Sequence, residues 1–144
     1  MIDLESLEEV KEALKGEPTP KIIQARSGEY NRKLLEQYSF NILLFPAKTR
    51  KKESLRQLDL SFNHVLAKIA AKKKIALGID LKSLRKEKES ELDRELSILK
   101  ELIALARTHK IPIKILNAKD KRNAQSLLLT LGASTQQAKQ AISF

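Results

Sequence analysis

Two histidines, His64 and His109, are the only imidazoles in the 144 residues, and no cysteine accompanies them. They lie far apart in sequence, and neither falls in an H-x-H or H-E-x-x-H pattern, so a histidine-rich metal centre is not expected. Asp80 closes an apolar run and could ligate a metal or act as a base. With no histidine beside it, its expected role is to order its loop or to pair with a lysine. Ser61 and His64 are close, but no acid is placed to orient the imidazole, so a catalytic triad is not formed. Only four glycines occur, none in a phosphate-cradling loop. The missing cysteines exclude disulfides, thiolate metal sites and a cysteine nucleophile. No catalytic residue and no metal ligand is therefore assigned.

Charge points elsewhere. The net charge is +10, and it is unevenly placed. Residues 1–20 hold two lysines against six acids. Residues 48–86 hold twelve Lys and Arg against Glu53, Asp59 and Asp80, and residues 110–144 hold six against Asp120. A field concentrated in this way favours a polyanion, because Lys and Arg displace condensed counterions from phosphates. The plainer alternative is a basic, solvated surface.

The stretch LSFNHVLAKIAAKKKIALGIDLK (60–82) sharpens the choice. A helical period over 62–74 places Phe62, Val65, Leu66, Ile69 and Ala70 on one face, directed at a sheet. His64, Lys68 and Lys72, at i, i+4 and i+8, form a stripe on the other side. Like charges at that spacing mildly oppose the helix, and a negatively charged partner offsets the cost. Asn63, at the helix start, suits a cap as well as a contact.

These residues need elements to hold them. Helical spacing covers 4–15, about 28–38, 62–74, about 87–108, 120–131 and 135–142; Leu92, Leu96, Leu99, Ile103 and Ala106 stripe the fourth. Apolar or β-branched runs at 21–25, 41–45, 75–79 and 111–116 read as strands, with MIDL at the start as a weak fifth. NILLF (41–45), continuous and stopped by Pro46, reads as a strand covered on both faces. Alternating strands and helices imply βαβ units and a parallel sheet in one domain, 1–144. In such sheets function gathers at the carboxyl ends of the strands. The segments leaving those ends are Arg26–Gly28, the 46–60 connection, Asp80–Lys82 and Asn117–Asn123, and three of the four are strongly basic. No run approaches the roughly 20 apolar residues that span a bilayer. The N-terminus is acidic and helical, unlike a signal or transit peptide, so a cytoplasmic protein is expected.

The sequence resembles ribonuclease P protein component 3, the archaeal relative of the thirty-kilodalton eukaryotic subunit. The likeness is carried by Asn41–Pro46, Thr49-Arg50-Lys51-Lys52, Asn63-His64-Val65-Leu66-Ala67-Lys68 and Ile75–Leu81. It resumes at Leu131-Gly132, Ala138-Lys139 and Ile142-Ser143. The resemblance implies a distorted, TIM-barrel-like α/β fold similar to metal-dependent phosphoesterases, serving as the protein cofactor of a ribozyme. It also implies that the RNA subunit, using magnesium, removes 5′ leaders from precursor tRNAs, and that the protein pairs with component 2 and stabilises the RNA. The chain departs from the family in being shorter, so an incomplete barrel is expected. It also carries Lys82-Ser83-Leu84 where the family commonly has an arginine–proline pair.

Carried over by position, the RNA contacts are Arg50 and Lys51 in the long connection, His64 and Lys68 on the helix, and Lys82 and Arg122 beyond two further strands. No cofactor is expected on the chain itself. The competing readings are a small metal-dependent phosphoesterase anchored at Asp80, and an RNA-binding module of another ribonucleoprotein.

Overall fold

The computed structural model describes residues 2–45, 62–82 and 89–142. Among these residues the elements run α1 (Leu7–Gly16), β1 (Ile22–Gln24), α2 (Gly28–Gln37), β2 (Ile42–Phe45), α3 (His64–Lys73), β3 (Ala76–Asp80), α4 (Glu89–His109), β4 (Ile113–Leu116), α5 (Lys121–Thr130) and α6 (Thr135–Ile142). The four strands pair in parallel in the order β1-β2-β3-β4. Parallel neighbours in sequential order require a crossover between each pair, which the intervening helices supply. The weak fifth strand reduces to a single parallel bridge, Ile2 to Ile23, on the outer edge of β1.

Register explains the core. Ile23, Leu43, Leu77 and Ile113 stand in one row and Phe45, Ile79 and Ile115 in the next, all buried within the main apolar cluster. Their neighbours Ile42, Leu44 and Ala76 turn to the opposite face and are buried as well. This is why β2 is apolar at every position while β4, at the edge, alternates. Gly78 lies in that second face. A Cβ there would come within 2.7 Å of Ile42 Cγ2 and 3.2 Å of Leu44 Cδ1, so glycine lets β2 side chains pack over β3.

The helices follow their sequence pattern with one adjustment, on α3. Along α4, Ile98, Leu99, Leu102, Ile103 and Ala106 are buried and Leu96 is half-buried. On α3 the buried face is Leu66, Ala67 and Ala70. Val65, expected to face the sheet, is instead 56% exposed, because the helix is rotated to put Ala67 inward. No helix among the described residues is long and apolar enough to cross a membrane.

Candidate nucleic-acid interface

The start of α3 is built by Asn63, whose Oδ1 accepts from Leu66 N at 3.0 Å. Of its two possible roles, Asn63 takes the cap, which satisfies one of the helix's orphan donors. At the other end Lys74 is in the left-handed region (φ 61°) and its N–H closes on Ala70 and Ala71 carbonyls. Lys72 and Lys73 in the last turn complement the negative end of the helix dipole.

His64 and Lys68 are both exposed, as their stripe requires. His64 is not isolated, however. Its Nδ1 lies 2.9 Å from His109 Nε2, with the rings edge to face at 5.2 Å, across 45 residues of sequence. The long α4 brings its last residue beside the first of α3, a juxtaposition that sequence distance hid. If His109 donates, His64 holds its own proton on Nε2 and can donate to a phosphate oxygen. Beside the pair, a groove of about 470 Å³ is lined by Phe62, Asn63, Glu101, Ala104, Leu105 and Thr108.

At the carboxyl ends of the strands, Asp80 joins two loops. Its Oδ1 accepts from Lys82 N and from Asn117 Nδ2, both at 3.0 Å. The carboxylate is engaged in holding β3 and β4 exits together, the loop-ordering role expected for it. That leaves Lys82 at the surface. Arg122 is likewise exposed, in the first turn of α5, where Asp120 caps the helix by accepting from Arg122 N and Asn123 N. Lys82 and Arg122 therefore project from adjacent strand ends, while His64 and Lys68 belong to the helical layer. Arg50 and Lys51 lie outside the described residues.

One basic strand end is not available to a partner. Arg26 pairs with Asp3 at 2.6 Å and Glu5 at 3.5 Å and sits over the Tyr30 ring. Tyr30 in turn donates its hydroxyl to Leu4 O. Two acids from the chain start thus neutralise Arg26, and the acidic N-terminal segment has a local counter-charge.

Among the described residues no three His, Asp or Glu side chains converge as a metal site would need. Chemically, the face from Lys82 to Arg122 and the α3 stripe offer cationic and N–H donors.

The fold has a solved counterpart. A chain in the cryo-EM structure of archaeal ribonuclease P with mature tRNA superposes with a TM-score of 0.77. The two chains share the fold. The match covers 97% of this chain at 23% identity, and this chain spans 62% of the other's length. No family model matches the sequence. A search of curated proteins likewise finds no match.

Proposed function

We propose that the chain is a protein subunit of ribonuclease P, of the component 3 type. In this reading it binds and stabilises the catalytic RNA that removes 5′ leaders from precursor tRNAs. The observation that carries it is the fold held in common, over nearly the whole chain, with a chain of an archaeal ribonuclease P structure. The order and spacing of the sequence blocks from Asn41 to Ser143 support the same assignment.

The protein's part is electrostatic. Arg50, Lys51, His64, Lys68, Lys82 and Arg122 contact phosphates of the RNA. The arginines suit bidentate contact and the lysines act as point charges. Hydrolysis belongs to the RNA subunit and its magnesium ions, and the chain contributes no catalytic residue. Its partners are the ribonuclease P RNA, protein component 2 and, through the holoenzyme, precursor tRNA. The proposed setting is the cytoplasm, and the proposed architecture is an incomplete barrel.

The test is reconstitution. The chain is purified from its host with bound nucleic acid, the RNA is sequenced, and precursor-tRNA cleavage is measured with and without the chain. Recovery of ribonuclease P RNA and stimulated cleavage are expected. Cleavage by the chain alone would instead favour a phosphoesterase, and recovery of a different RNA would assign it to another ribonucleoprotein.

A further inference from the structure

The groove beside the histidine pair has two unlike ends. It runs between the start of α3 and the last turns of α4, with Phe62, Ala104 and Leu105 as its apolar wall. At one end His64 is held by His109, and Lys68 follows one turn along α3. Glu101 stands two turns before His109 on the same side of α4, roughly 12 Å along the axis, and also lines the groove. The carboxylates of Asp80 and Asp120 are engaged by backbone amides. That of Glu101 has no partner among the described residues.

A carboxylate repels phosphate, so a ligand that fills this groove must bring donors to Glu101 and negative charge only to His64 and Lys68. A nucleotide has that polarity, with a phosphate at one end and, at the other, a planar base of apolar faces and polar edges. The span from Glu101 to the histidines is comparable with the reach of one nucleotide from its phosphate to the far edge of its base. The groove's volume of about 470 Å³ lies within the roughly 300–1,000 Å³ of small-ligand sites. Its remaining polar groups suit a base edge. Asn63 uses Oδ1 to cap α3, which leaves Nδ2 as a donor. Thr108 donates its hydroxyl to Ala104 O, which leaves lone pairs as acceptors.

Glu101 also selects among bases. An ionised carboxylate only accepts, through two oxygens. Guanine alone among the four RNA bases sets two donors side by side on its pairing edge, N1–H and the N2 amino group. Adenine and cytosine place a ring acceptor beside their amino group, and uracil flanks its N–H with carbonyls, so each sets lone pairs against the carboxylate. We propose that this groove receives an unstacked guanine of single-stranded RNA, with N1–H and the N2 amino group on Glu101 and the phosphate on His64 and Lys68. The inference rests on the RNA-binding reading and adds to it the recognition of a base.

The test titrates the full-length, isotope-labelled chain, at one ionic strength, with four short single-stranded RNAs. Each is an oligouridine that carries guanine, adenine, cytosine or uracil at its centre. The guanine RNA should bind about fivefold or more tightly than the other three, the lower end of what a bidentate base contact gives. It alone should shift the amides of Glu101, Leu105 and Thr108. Glu101→Gln, at an exposed position, replaces one acceptor by an amino donor and should level the four affinities without lowering the melting temperature. Ala104→Leu, also exposed, fills the groove and should level them too, while oligouridine still binds through the α3 stripe. Equal binding of all four RNAs by the wild type, or a guanine preference that survives either variant, overturns the groove and leaves RNA binding itself standing. If none of the four RNAs binds, the groove falls together with the RNA-binding reading.

Discussion

The first residue of α3 is hydrogen-bonded to the last residue of α4, His64 Nδ1 to His109 Nε2 at 2.9 Å. One ring donates and the other accepts, which suits two neutral rings or one neutral and one charged, but not two charged. The contact orients His64 without burying it, so the same face can be pinned and still meet a partner.

A comparison of the two faces of α3 follows from this. His64→Ala with Lys68→Ala removes exposed groups, so stability should change by less than about 1 kcal/mol. RNA retention and reconstituted cleavage should nevertheless fall. Leu66→Ala, on the buried face, should cost about 2–5 kcal/mol through a cavity and lose activity only with the fold. Thermal melting and RNA binding measured on the same samples decide. A double variant that melts normally and retains full RNA binding makes the stripe a solvated surface.

Gly78→Ala tests how tightly β2 and β3 share their second face. The added methyl would meet Ile42 Cγ2 at 2.7 Å, too close for any real contact. Ile42 is itself buried, so its retreat is restricted. The expected loss is about 1–3 kcal/mol in denaturant unfolding, the usual cost of overpacking. A neutral result would mean that the Ile42 side chain shifts freely.

The fold was largely readable in the sequence because its signals are local. NILLF and IALGI are short apolar runs bounded by turn residues, and both became strands; the six helical periods became six helices. What was hidden depends on tertiary placement. Val65 reads as core by period but is exposed, since the smaller Ala67 occupies the inward position. Arg26 reads as part of a basic strand end, yet Asp3 and Glu5 cover it from more than twenty residues away. The His64–His109 contact leaves no local trace, because it depends on where a 21-residue helix ends. The capping box that starts α6, in which Ser134 and Gln137 each accept from the other's N–H, was not read from the sequence, and neither was the buried Gln137 donor.

Tyr30 gives the N-terminal clip a signature in alkali. Burial pushes its hydroxyl above the usual 10.0, although the Arg26 charge pulls the other way. The folded state therefore holds this proton more tightly than the unfolded chain. The resulting stability is present below about pH 10 and is lost as pH rises through the higher folded value. Tyr30→Phe, which loses the hydrogen bond to Leu4 O, should cost about 1 kcal/mol at neutral pH. The melting-temperature gap between wild type and variant should then narrow above about pH 10. A gap that stays constant, or widens, would show that Tyr30 carries no such linkage.

If the chain binds RNA as proposed, salt dependence will separate the cations that meet it from those that serve the fold. Contacts to about four to six phosphates predict a slope of roughly −3 to −5 for log affinity against log salt, at about 0.7–0.9 per contact. Lys82→Ala and Arg122→Ala should each make that slope shallower by about one contact's share while leaving melting almost unchanged, since both side chains are exposed. Arg26→Ala should do the reverse. Its guanidinium is already paired with Asp3 and Glu5, so the slope should hold while stability falls. The measurement is RNA affinity at several salt concentrations for each variant, beside a melting curve. A flat salt response in the wild type sinks the polyanion reading whatever the fold resembles. Equal slopes for wild type, Lys82→Ala and Arg122→Ala would move the RNA contacts away from the strand ends.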